Sequence, residues 1–299
     1  MAQFANPQHL ITVDELASSI DSPSIRVLDV TTRLTSSLQN TARTTVFDAG
    51  HIPGSRFLDV GSATGVLSDP DSELPWMWPN QRRVTDALRA VGVDDGDRIV
   101  ITAATPRAGI DSGTMWCTRA WWTLHHMGLN VSILQGGVEA WSQAGHALDV
   151  SSADSAAERG SVVVANDGLG GRAQIPDVLA ALDGAACVVD ALSPDHYEGR
   201  DPGYGPRRGH ITGAINMPYL DLIDRETAGF VTPDVMAQHL GDRGLLDGPV
   251  VSYCGGAIAA TVVAYCCALM GNDDVRVYDG SLMEWTRDHS LPMTDPSSD

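Results

Sequence analysis

The chain has 299 residues, 43% of them hydrophobic, which is enough for two domains of roughly 150 residues with cores of their own. Nineteen basic against 38 acidic residues give a net charge of −19; that acidity serves solubility and excludes nucleic acid and anionic membrane surfaces as expected partners. There is no run of about 18 apolar residues to predict a membrane span, the first residues lack the pattern of a secretory signal, and five cysteines (117, 187, 254, 266 and 267) without a ladder of spacings fit a reducing cytoplasm.

In chain order, Thr12-Val13-Asp14-Glu15 is a capping-box start for a helix carrying Leu16 and Ile20. Ile25–Val30, Arg98–Ile101 and Asn130–Leu134 are short apolar runs that predict strands. Val84, Leu88 and Val91 stand at helical spacing between them. Trp76-Met77-Trp78 is an aromatic loop, expected to be an interdomain packing patch. A small, polar stretch over 151–160 is the expected linker, and a strand is expected at Val162-Val163-Val164. Strands follow at Cys187–Asp190, Val250–Tyr253 and Val275–Tyr278, with a helix begun by Thr232 as cap and Pro233 at its first position. Continuous apolar strands suit parallel sheets buried on both faces, so the class is α/β, with helices on both faces of each sheet.

The two halves repeat one order of marks. Val27-Leu28-Asp29, Gly50-His51-Ile52-Pro53-Gly54 and Leu58-Asp59 in the first answer to Val189-Asp190, Gly209-His210-Ile211-Thr212-Gly213 and Leu220-Asp221 in the second. Each half closes with a glycine before a tryptophan, Gly136 with Trp141 and Gly280 with Trp285. The chain is therefore expected to be a duplicated domain, residues 1–150 and 161–299. Asp29 and Asp190 end their strands and are expected to cap the loops that follow.

Cys254 stands where the strand ending at Tyr253 meets a helical pattern, followed by Gly255, Gly256, Ala257, Ile258, Ala259 and Ala260. Backbone N–H groups at such a junction favour an anion, so the residue types point to a sulfur nucleophile. Aligned amides suffice to lower a thiol pKa from near 8.5 to about 6.5, worth roughly 2.7 kcal/mol. Cys117, Cys266 and Cys267 are expected to be packing. His125-His126 lack the spacing of a zinc site, and there is no phosphate-binding glycine loop. No metal or cofactor is expected.

These features together resemble the tandem rhodanese family of sulfurtransferases. The elements that carry the resemblance are residues 50–54, the run Arg208 to Pro218, the Cys254 loop and Tyr278-Asp279-Gly280-Ser281-Leu282-Met283-Glu284-Trp285. The resemblance implies two rhodanese-like domains with one active site at their interface. It implies that Cys254 receives a sulfane sulfur from thiosulfate or 3-mercaptopyruvate and passes it to cyanide or a thiol. Ala103 falls where the first half would need the cysteine, so that half is expected to be inactive. The loop departs from the family pattern: no cationic pair follows the cysteine, Gly256 and Ala259 replace hydroxyl residues, and Ala257 replaces a glycine, which is strained if that position needs positive φ. His196 stands where an arginine commonly binds the donor; Arg200, Arg207 and Arg208 are the nearby cations, and His51 stands where an interface histidine can occur. The repetition of its motif at His210 favours a turn-forming role. A sulfur carrier or binding module is the alternative reading. A phosphatase would need an arginine at Ala260 to clamp the phosphoryl group.

Overall fold

The computed structural model describes residues 2–105, 113–150 and 158–298. The chain divides into two units. One comprises Pro7–Gly168 with Arg225–Phe230, the other Met1–Asn6 with Leu169–Asp224 and Val231–Asp299. They are called here the N-terminal and C-terminal units.

In the N-terminal unit, β1 (Leu10–Ile11), β2 (Ile25–Asp29), β3 (Arg56–Phe57), β4 (Arg98–Thr102) and β5 (Val131–Leu134) form one sheet. All its pairings are parallel, in the order β1-β5-β4-β2-β3. The helices α1 (Val13–Ser19), α2 (Gln81–Ala90), α3 (Gly113–His126) and α4 (Gly137–Gln143) accompany it. Leu16 of α1, Val27 of β2, Val100 of β4, Leu134 of β5 and Trp141 of α4 meet in its core. Thr12 caps α1 in the expected box, its hydroxyl accepting from the Glu15 amide while Glu15 accepts from Thr12 N–H.

The C-terminal unit repeats the plan. β6 (Arg172–Ala173), β7 (Cys187–Asp190), β8 (Ile215–Asn216), β9 (Val250–Tyr253) and β10 (Val275–Tyr278) form a parallel sheet in the order β6-β10-β9-β7-β8. Numbered within each unit, the two strand orders are identical. Helices α5 (Ile175–Ala180), α6 (Pro233–Gly241), α7 (Ala260–Leu269) and α8 (Ser281–Trp285) belong here. All ten residues of α7 are buried, which explains why its pattern is apolar all round. A small antiparallel pair, His210–Ile211 with Met293–Thr294, completes the unit.

Four details differ from expectation. Val162-Val163-Val164 forms no strand. The chain there runs extended along the N-terminal unit, with Gly160 N–H bonded to Arg89 O and Val162 N–H to Val93 O. The structure divides the units after Gly168; of the expected linker 151–160, residues 151–157 lie outside the described residues. Thr232 occupies the N-cap of α6 but its hydroxyl makes no capping bond. Trp76 and Trp78 are buried within the N-terminal unit, their indole N–H groups on Gly61 O and Asp167 O and the Arg119 guanidinium 5.6 Å from the Trp78 ring. Among the described residues no helix is long and apolar enough to cross a membrane.

Candidate active site

Cys254 lies one residue beyond the carboxyl end of β9, where ligands bind in open α/β sheets. Its side chain is 2% exposed. The backbone N–H groups of Ala260, Gly256 and Ile258 lie close enough to the sulfur to favour its anionic form, so the loop does turn its amides toward the thiol. The helix start favours this. Ala259 sits at the N-cap of α7 with no side chain to compete for those donors. Ala257 turns the loop at φ +60°, the strained conformation its position demands, at a cost of about 1–2 kcal/mol.

The expected lowering of the thiol pKa is not what the site produces. Burial pushes the Cys254 thiol above its ordinary value; the amides of Ala260, Gly256 and Ile258 oppose that, and the Asp190 carboxyl adds to it. The thiol is desolvated more than the loop compensates.

A residue without assignment in the sequence analysis holds this loop together. Ser281, at the start of α8 with φ +48°, accepts from Cys254 N–H at 3.2 Å and Ala257 N–H at 3.1 Å, and donates to Tyr278 O at 2.8 Å. Leu282 N–H and Met283 N–H bond the carbonyls of Cys254 and Gly255. The signal was present in the motif Tyr278-Asp279-Gly280-Ser281, whose serine hydroxyl reaches back to another loop.

The proposed substrate cations fare differently. Arg207 is consumed by structure: its guanidinium donates to the carbonyls of Trp285, Thr286, Asp288 and Leu291, at 2.6–3.2 Å. Arg200 pairs with Asp195 and Glu198 on the surface. Arg208 is exposed. His196 Nδ1 lies 2.9 Å from Ser193 Oγ and 3.2 Å from Asp201 Oδ2, at the end of a short helix, Pro194–Tyr197. Its ring is 5.5 Å from that of Tyr204. Tyr204 in turn lies against Gly255, where a side chain would collide with ring atoms Cδ1, Cε1 and Cζ. Gly255 is therefore glycine because an aromatic ring occupies the space of a Cβ.

His51 is placed in the N-terminal unit, buried, with Nδ1 2.8 Å from Phe47 O and its ring stacked on Phe47 at 3.9 Å. His210 repeats this in the C-terminal unit, with Nδ1 2.7 Å from Tyr197 O and its ring stacked on Tyr197 at 3.7 Å. The same arrangement in both repeats is that of a residue that pins a turn. The strand-end aspartates also match. Asp29 Oδ1 accepts from Thr31 N–H and Asp190 Oδ1 from Leu192 N–H, each capping the loop beyond its strand. Burial pushes the Asp29 carboxyl up to about 6 and the Asp190 carboxyl up to about 7. Ala103 lies one residue beyond β4 as Cys254 lies one residue beyond β9, and its side chain is a methyl group where Cys254 has a thiol; the loop beyond it includes 106–112, outside the described residues. Cys117 is buried in α3, and Cys266 and Cys267 in α7. No cluster of metal-ligating side chains occurs among the described residues.

The rhodanese-like domain family matches twice, over residues 12–144 and 175–288. The chain belongs to the rhodanese family of sulfurtransferases. The 3-mercaptopyruvate sulfurtransferase of Escherichia coli is 31% identical to it over 95% of this chain and 96% of its own length. The thiosulfate sulfurtransferase of Mus musculus is 30% identical over 93% and 92%. The crystal structure of SseA from Escherichia coli, a 3-mercaptopyruvate sulfotransferase with the rhodanese fold, superimposes with a TM-score of 0.76 at 28% identity, covering 91% of this chain and 98% of SseA.

Proposed function

We propose that this sulfurtransferase carries sulfur on Cys254 as a persulfide, between a small sulfane donor and a thiol or cyanide acceptor. The observation that carries the reading is the ring of amides from Gly256, Ile258 and Ala260 directed at the Cys254 sulfur beyond the end of β9. In the first step the thiolate attacks the sulfur to be transferred, the thiol sulfur of 3-mercaptopyruvate or the outer sulfur of thiosulfate; a new S–S bond forms, and the C–S or S–S bond that held that sulfur in the donor breaks. From 3-mercaptopyruvate the electron pair leaves with the pyruvate enolate, which takes a proton; from thiosulfate it leaves as sulfite. The fixed N–H dipoles stabilise the anionic sulfur before and after transfer. In the second step the acceptor attacks the outer sulfur and Cys254 is released as thiolate.

Thiosulfate is the poorer fit of the two donors. Its dianion calls for a cationic clamp, and Arg207 and Arg200 are both engaged elsewhere. 3-Mercaptopyruvate carries a single carboxylate, for which the exposed Arg208 is the partner, with His196 able to offer only Nε2, since its Nδ1 faces Ser193 and Asp201.

The test is to incubate the chain with each donor and to weigh the Cys254 peptide. One added sulfur atom on that peptide, absent in Cys254→Ser, is expected, faster with 3-mercaptopyruvate; an unmodified peptide with every sulfane donor sinks the reading. The buried and raised thiol favours a second reading, a sulfur carrier or binding module. The binding-module form of that reading gains if Cys254→Ser retains the cellular role, since a carrier could not work without the sulfur.

A further inference from the structure

The segment 199–208 crosses the Cys254 loop as a strap fixed at both ends. At its start Ser297 Oγ donates to Gly199 O, and the Arg200 and Asp201 amides both bond Asp195 O. At its end Arg207 holds four carbonyls on α8 and the turn after it. Between these anchors the residues Pro202 to Pro206 are exposed to solvent on their outer side. Tyr204 stands at the crown between two glycines. Gly205 fits against Thr286 Oγ1 and Gly203 against Arg207 O, which leaves the strap no bulk there except the Tyr204 ring. That ring lies on Gly255, the first residue after the nucleophile, with the His196 ring tilted 33° beside it. Burial, with Cys254 next in effect, pushes the phenol up to about 12, so Tyr204 stays a neutral aromatic group across the physiological range.

Among the described residues, then, the strap sets an uncharged aromatic ring beside the nucleophile, while of its three arginines Arg200 and Arg207 are committed to other partners and Arg208 stands exposed at its far end, beyond the Arg207 anchor. An aromatic face attracts a flat organic substituent by stacking and offers a compact dianion nothing. We infer that Tyr204 is a specificity-determining residue of the Cys254 site, whose ring selects sulfane donors bearing a planar organic group over the thiosulfate dianion. The inference rests on sulfur transfer through Cys254 and adds to it the chemical class of donor.

The probe pair is benzenethiosulfonate and thiosulfate. In each case the Cys254 thiolate attacks the outer sulfur and a Cys254 S–S bond forms. The bond from that sulfur to the sulfonyl sulfur breaks, and benzenesulfinate or sulfite leaves with the electron pair. Cyanide then removes the sulfur as thiocyanate, which is measured. The full chain is expected to show a kcat/KM ratio favouring the aryl donor by about tenfold, the scale of one stacking contact. Tyr204→Phe keeps the ratio, because the ring remains; Tyr204→Leu, which keeps bulk without a π face, brings it close to one. A wild-type chain that prefers thiosulfate overturns the inference, as does a ratio unchanged in Tyr204→Leu. A chain that forms no Cys254 persulfide with either donor overturns sulfur transfer itself, and is told apart by the missing added sulfur on the Cys254 peptide.

Discussion

Ser281 shows how much of the site hangs on one hydroxyl. It is the acceptor for two loop amides that have no strand or helix partner. Ser281→Ala leaves both buried and unsatisfied, and is expected to cost about 2–4 kcal/mol in urea unfolding and to slow sulfur transfer by tenfold or more. Ser281→Gly relieves the positive φ yet should lose activity to the same degree, which separates the hydroxyl from the backbone strain. Cys254 makes a second prediction. Because burial holds its thiol above the ordinary value, its alkylation rate by iodoacetamide is expected to keep rising with pH beyond the range where a free cysteine levels off. A plateau at or below neutral pH would show that the amides win over burial. The place of Cys254, just beyond a strand and at the entry to a helix, was legible from a strand end followed by Gly255-Gly256. Its protonation was not, because that depends on how deeply the sulfur is buried, which is set by residues brought in from elsewhere in the chain, as the Tyr204 ring is brought against Gly255.

At the scale of elements, the strap is the part that local pattern could not place. Arg207 reads in sequence as a free loop cation beside Arg208. Only the fold brings the carbonyls after α8 around it, and four acceptors then occupy a guanidinium that has five N–H donors. Arg207→Ala is expected to lower stability by about 2–4 kcal/mol and to open the strap to protease cleavage between residues 199 and 208. Arg207→Lys is expected to rescue little of this, since an ammonium cannot span the fork. Cleavage patterns identical to wild type would contradict the anchoring role. The strands with continuous apolar runs, β2, β4, β7, β9 and β10, were all readable because burial on both faces writes itself into composition. Val162-Val163-Val164 has that composition as well, but it finds no strand partner. Val162 and Val164 are buried while Val163 is 57% exposed, so the run alternates along the surface of its unit.

For the whole molecule, the repeated strand-end aspartates tie stability to pH. The Asp190 carboxyl has a reference value of 3.8 and stands at about 7 when folded, with burial as the main cause. Below 3.8 the stabilising contribution is fully present; as pH rises through about 7 it is lost, because the folded state then holds a desolvated carboxylate. Asp190→Asn preserves the acceptor for Leu192 N–H and removes that penalty. Its stability relative to wild type is expected to climb between pH 4 and 7, by on the order of a few kcal/mol, and then to level off. A difference independent of pH in thermal unfolding would contradict this. The net charge of −19 acts on kinetics instead: kcat/KM for an anionic donor is expected to rise with ionic strength as repulsion is screened. The duplication was legible because paired marks recur in order across both halves, from Gly50-His51 and Gly209-His210 to the closing tryptophans. The exchange of Met1–Asn6 and Arg225–Phe230 between the units was not, since it is made by contacts between residues far apart in the chain.

Each unit draws on separated stretches of the chain. Asn6, near the start, bonds Leu269 O and Ala268 O in the C-terminal unit, and Arg225–Phe230 belongs to the N-terminal one, with Phe230 N–H and O both held by the Gln135 side chain. No single scissors cut can therefore yield two intact halves. A fragment beginning at 169 arrives without the opening residues that shield the tail of α7, and carries six residues made to fit another body; a clean dissection needs a rewired gene in which both borrowed pieces are returned to their owners.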